Sequence, residues 1–134
     1  MEKTERRPAA ERRVLKKYLT RFFRAKERRK TLQKRAEEIR EDLGETSVLE
    51  ARLQAQAEAA ERSALEIMDI LDLLPEDATE RTILELRHLD CKPWREINRA
   101  VYLTASPCFE YYNRGLDTLL SMEQVRQTLG LPRD

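Results

Sequence analysis

Few side chains in this sequence have types and spacing that suit chemistry, and they lie between Lys92 and Arg114. Ser106, Phe109, Glu110, Asn113 and Arg114 recur at intervals that put them, with Ala105, on one side of a helix. A hydroxyl, an amide and a guanidinium aimed the same way form a hydrogen-bonding surface suited to nucleobase edges and phosphate. Asn113 can pair with adenine, Arg114 with guanine or phosphate, and Ser106 with base or phosphate. Phe109 can cover a thymine methyl. Glu110 can accept from cytosine but repels phosphate. Lys92, Arg95, Arg99 and Arg114 are the usable cations. No catalytic set accompanies them. His88 is the single histidine and has no carboxylate or cysteine set at a useful spacing, so it reads as structural or surface. There is no Gly-rich phosphate loop. Cys91 and Cys108 have no partners at metal spacing and read as reduced thiols. The expectation is a protein that is not an enzyme and uses no cofactor or metal.

The elements that must position this surface come from the run Glu80 to Leu120, which carries the punctuation of three short helices. Asp77 or Thr79 can cap the first, whose apolar residues are Ile83, Leu84, Leu86 and Leu89. Asp90-Cys91-Lys92 interrupts it. Pro93 suits a first helical turn, and Trp94, Ile97 and Val101 form the stripe of the second, with Trp94 a core-packing residue. Thr104 can cap the third, with Pro107 in its first turn. Cys108, Tyr111 or Tyr112, Gly115, Leu116 and Leu119 point inward. Gly115 costs about 1 kcal/mol against Ala in mid-helix, which is explained by close packing under Trp94 or Ile97. Two short helices joined by a tight turn read as a helix-turn-helix, although a small helical bundle has the same periodicity.

The string RHLDCKPWREINRAVYLTASPCFEYYNRGLDTL resembles region four of bacterial sigma factors, in the version found in small phage-encoded proteins. Arg87-His88-Leu89, Trp94-Arg95-Glu96-Ile97, Thr104 and Arg114-Gly115-Leu116 occupy the motif positions. The basic run KKYLTRFFRAKERRKTLQKRAEEI is similar to the helix that opens the phage proteins, so the resemblance covers most of the chain. It implies a transcription regulator whose third helix meets base edges in the major groove while the second supports it and touches the backbone. Lys92, Arg95, Arg99, Thr104, Ser106, Phe109, Glu110, Asn113 and Arg114 are then the residues expected to meet double-stranded DNA, with RNA polymerase nearby. The family commonly carries basic residues where this chain has Ala105, Ser106 and Glu110.

The remainder of the chain is strongly polarised. The net charge is +1 over 134 residues, yet residues 1–43 are basic and residues 44–82 acidic. Leu15, Tyr18, Phe22, Ala25, Leu32, Ala36, Ile39 and Leu43 form a narrow seam, which predicts one helix over 10–43, closed by Gly44. Ser47 to Glu50 reads as a capping box that opens a helix over 47–74, ended by Pro75. So short a connection favours an antiparallel hairpin. The expected architecture is all-α: a coiled-coil-like hairpin arm in residues 1–74, then the helix-turn-helix in 75–134, with a last short helix starting at Ser121 and ending at Gly130.

Phosphate neutralisation supplies most non-specific affinity for DNA, and four cations on a near-neutral module give one copy weak binding. Homodimerisation through the long helices would double the contacts. The basic helix could instead reach the duplex, although pairing with the acidic helix is its simpler role. Two rivals remain: an adaptor that docks on polymerase or another phage protein without binding DNA, and a coiled-coil assembly component. No apolar run is long enough to span a membrane and MEKTERRPAAERR lacks a signal peptide's apolar segment, so the expected location is cytoplasmic.

Overall fold

The computed structural model describes residues 5–44 and 47–134. Its regular elements are α1 Ala9–Leu19, α2 Arg21–Leu43, α3 Ser47–Leu71, α4 Thr79–His88, α5 Trp94–Ala100, α6 Ala105–Leu120 and α7 Glu123–Leu129. The chain is all-α, with no strand among the described residues. None of these helices is long and apolar enough to cross a membrane.

The helix expected over 10–43 is divided at Thr20. The Thr20 hydroxyl donates to the Lys16 carbonyl at 2.6 Å, and Arg21 Nε donates to the Tyr18 carbonyl at 3.0 Å. Side chains thus compete for carbonyls of the last turn of α1, a common cause of helix bends. The division lets the two halves face different partners. α1 sends Leu15 and Leu19, one turn apart, into a core shared with Ile83, Leu84, Leu116, Leu119, Leu120 and Val125. α2 instead buries Ala25 and Ala36 and packs along α3. Hence α1 lies against α6 and α7 and shares its core with the helices beyond residue 75.

Along the α2–α3 contact, Arg21 meets Glu66, Ala25 and Arg28 line a groove with Ala59 and Gln56, and Arg35 lines one with Arg52. Numbers rise on one helix as they fall on the other, so the two run antiparallel. Gly44 ends α2 with φ 78°, its N–H bonded to the Arg40 carbonyl at 2.9 Å. Of the seam residues, Ile39 and Leu43 are exposed at the far end of the pair, beside exposed Val48.

Several helix ends differ from the pattern read above. Ser47 is the first helical residue of α3 rather than its cap, and the residue before it lies outside the described residues. α3 stops at Leu71, because the Leu73 and Leu74 N–H groups reach back three residues to Ile70 and Leu71 as the chain tightens toward Pro75. Ala78, not Asp77 or Thr79, stands at the N-cap of α4, with no side-chain cap bond. Arg81 holds this joint instead, donating to the Leu74 carbonyl at 3.1 Å and to Asp72 at 2.7 Å. Gly115 marks a close crossing of α6 with α4, rather than packing under Trp94 or Ile97. A Cβ there would lie 2.8 Å from Leu84 Cδ1 and 3.1 Å from Glu80 Cβ.

Candidate nucleic-acid interface

α6 is built to expose one side. Cys108, Tyr112, Gly115, Leu116, Leu119 and Leu120 are buried on the other, so Tyr112 is the inward tyrosine and Tyr111 is half-buried. α5 buttresses it. Trp94 lies 4.6 Å from Phe109 and meets Tyr112 edge-on at 4.9 Å, a geometry favoured by aromatic quadrupoles. The Arg87 guanidinium covers the Trp94 ring at 4.9 Å. Ile97 fills the core below. The connection from Val101 to Thr104 turns through Tyr102, whose φ of 56° is left-handed and whose ring is 93% exposed. A non-glycine residue in that conformation costs roughly 1–2 kcal/mol, and the surrounding helices enforce it. Thr104 occupies the N-cap position of α6, but its hydroxyl makes no capping bond.

His88 locks this arrangement from beneath. It is buried, with Nε2 2.8 Å from the Tyr112 hydroxyl, and it also bonds with the Leu19 backbone. Burial, helped by the Arg87 charge, lowers its pKa to about 4, and burial pushes Tyr112 up to about 12. A neutral imidazole has one donor and one acceptor nitrogen. It therefore accepts the tyrosine proton at Nε2 while donating to the Leu19 carbonyl. One side chain thus joins α4, α6 and the C-terminal end of α1.

Of the nine residues expected to meet DNA, Lys92, Arg95, Arg99, Thr104, Ser106, Phe109, Glu110 and Arg114 are exposed and Asn113 is half-buried. Two of the cations have acidic neighbours: Lys92 lies 3.8 Å from Glu96, and Arg114 lies 3.6 Å from Glu80 while stacking on Tyr111. Among the described residues Arg95 and Arg99 have no ion-pair partner. Cys91 and Cys108 are free thiols, and burial raises both pKa values, so they are protonated.

The structure adds residues that sequence reasoning missed. Asp117 is buried on α6 and accepts Arg12 through both oxygens, Nε–Oδ1 being 2.8 Å, together with the Arg7 backbone N–H at 3.2 Å. Arg126 of α7 is 3% exposed and donates to Glu11 at 2.9 and 3.1 Å and to the Leu120 and Pro132 carbonyls. Arg7 pairs with Asp134, which holds the Asp134 carboxyl below its usual range. These bonds bind residues 7–12 along α6 and α7. As a result Arg6 and Arg12 line one cleft of about 320 Å³ with Glu110, Asn113, Arg114 and Asp117. The available signal was Asp117 itself, an acid within the buried stripe of α6 that must find a cation.

These features define an all-helical chain with a solvent-facing polar surface on its longest C-terminal helix. Comparison with protein-family models, curated proteins and solved structures finds no match for it.

Proposed function

We propose that this chain is a phage-type transcriptional regulator, similar to sigma factor region four, that binds double-stranded DNA through α5 and α6 as a helix-turn-helix. The observation that carries this reading is the division of α6. Its apolar side is sealed by α4 and α5, while Ser106, Phe109, Glu110 and Arg114 stay open to solvent with Asn113 beside them. A helix held by one side and free on the other is what entry into a major groove requires. α5 supplies Arg95 and Arg99 as backbone cations, both exposed and one turn apart. RNA polymerase is the partner that such a regulator would contact, and self-association through the long helices would multiply its weak phosphate contacts.

A gel-shift series over promoter fragments at low and moderate salt tests this reading. Asn113→Ala and Arg114→Ala should each weaken binding to the best fragment, by about 1–3 kcal/mol where a base is read. Binding that ignores both substitutions rejects the assigned face.

A second reading is an adaptor that docks on polymerase or another phage protein without holding DNA. It is favoured by Glu110 at the centre of the face and by the exposed aromatic rings of Tyr102 and Phe109. Retention of polymerase by the chain, with no retention of duplex DNA, distinguishes it. Light scattering with and without duplex measures the stoichiometry in either case.

A further inference from the structure

We infer that the segment before α1 forms, with α6, a clamp for one phosphodiester of the nucleic-acid backbone, with Arg6 and Arg114 as its jaws. The inference rests on the DNA-binding reading above and adds Arg6, which the reading face does not contain.

The clamp is built rather than incidental. Arg7 is anchored at both its backbone N–H and its guanidinium, to Asp117 and Asp134. Arg12 and Glu11 are anchored to Asp117 and Arg126. Arg6, next to anchored Arg7, lines the cleft shared with Glu110, Asn113 and Arg114. Asp117 does not repel an incoming anion as a bare carboxylate would, because both oxygens already accept Arg12. Arg12 uses Nε and Nη2 in that pair. Among the described residues Arg6 has no ion-pair partner, and Arg114, with its contact to Glu80 at 3.6 Å, is more than half exposed.

Three guanidiniums and two carboxylates line this cleft. Arg12 is taken up by Asp117 and Arg114 lies 3.6 Å from Glu80, so Arg6 is the lining cation with no ion-pair partner among the described residues, and one phosphodiester would supply that partner. Position selects nucleic acid over a free anion. The major groove is about 12 Å wide and a helix with its side chains about 10–12 Å. A duplex that receives α6 must therefore run a phosphate strand directly along the flank of that helix, where the cleft lies. The clamp also relieves the shortage of cations on the reading face, since Arg6 adds to Lys92, Arg95, Arg99 and Arg114.

The test uses the full chain and two duplexes, the best promoter fragment and a scrambled sequence of equal length, titrated over a range of salt. Arg6→Ala should weaken both duplexes by the same factor, about eightfold near 0.1 M salt, and lower the slope of log affinity against log salt by about one. Arg6→Lys should restore most of that slope. Asn113→Ala should weaken the promoter fragment more than the scrambled one. If Arg6→Ala leaves slope and affinity unchanged while Asn113→Ala weakens the fragment, the clamp is wrong and the DNA-binding reading survives. If the unaltered chain binds neither duplex, both are wrong. If inorganic phosphate at millimolar concentration protects Arg6 from guanidine-directed modification but duplex does not, the cleft is an anion site only and the inference fails.

Discussion

The molecule has two regions held by different means. The core shared by α1, the C-terminal end of α3 and α4–α7 buries large aliphatic side chains, among them Leu15, Leu19, Ile67, Ile83, Leu84, Leu116, Leu119 and Leu120, and secures its edge with the part-buried pairs Arg12–Asp117 and Glu11–Arg126. Beyond Ile67, Ile70 and Leu71, which α3 sends into that core, the α2–α3 pair buries mainly small residues, Ala25, Ala36 and Ala60, with Leu49. Its ion pairs, such as Arg21–Glu66 at 3.5 Å and Glu27–Lys30 at 3.3 Å, are open to water. Apolar burial stabilises roughly in proportion to area, and exposed pairs contribute about 0.2–1 kcal/mol each. The first region therefore sets the stability of the chain. The second is held by a thinner apolar seam, and of the pairs Arg21–Glu66 and Glu27–Lys30 only the first crosses between its helices.

The largest test of that contrast is Arg126→Ala. It strips the partner from half-buried Glu11 and the donor from the Leu120 and Pro132 carbonyls. The cost should approach about 3–5 kcal/mol, that of breaking a fully buried pair from one side. The urea midpoint should fall accordingly. The paired change Glu11→Leu with Arg126→Met should recover much of the loss, because no orphan charge remains. A loss below about 1 kcal/mol for Arg126→Ala would place this pair with the exposed ones and erase the distinction.

Acid should reach the same region through His88. An unfolded imidazole titrates near 6.5 and the folded one near 4. Below pH 6.5 the unfolded chain therefore takes up a proton that the folded chain refuses. The His88 contribution is fully present above pH 6.5 and is lost as pH falls toward 4, by up to about 3 kcal/mol. Thermal melts of His88→Gln should show a flatter pH profile across that window. An identical slope in the variant would assign the acid sensitivity elsewhere.

Much of this core was readable along the chain, because its signals are local. The stripe Trp94, Ile97, Val101, the turn before Thr104 and the buried set Cys108, Gly115, Leu116, Leu119 follow from helical spacing and from Pro93 and Pro107. The exposed face of α6 follows by subtraction. What sequence did not disclose depends on partners far away. Thr20 within a run of good helix formers gives no warning of a break; the break exists because Leu15 and Leu19 find a different core from Ala25 and Ala36. Asp117 falls within the buried stripe of α6, but spacing gives no hint that its partner is Arg12, 105 positions earlier. Arg6 lines the cleft beside α6 only because that pair carries it there. Gly115 was readable as a close crossing, but the identity of the crossing helix was not.

That glycine provides the next test. In Gly115→Ala the gain in helix propensity, about 1 kcal/mol, opposes a Cβ 2.8 Å from Leu84 Cδ1. Leu84 is fully buried and has little room to turn, so overpacking of about 1–3 kcal/mol should win. Adding Leu84→Val to Gly115→Ala should return part of the loss. A stabilised single variant would mean that the crossing between α4 and α6 relaxes more readily than a packed core should.

The smallest effect belongs to the far end of the α2–α3 pair, where Leu43 is 79% and Val48 68% exposed. A side chain already in water loses no burial when it is replaced. Leu43→Gln should therefore change stability by no more than about 0.5 kcal/mol and leave the core's urea midpoint unmoved. A loss above about 1 kcal/mol that grows with protein concentration would show that a second copy covers this end in solution, since stability held by association depends on concentration. The thinly packed helix pair would then owe part of its order to a neighbour, whereas the α6 core owes its order to residues within one chain.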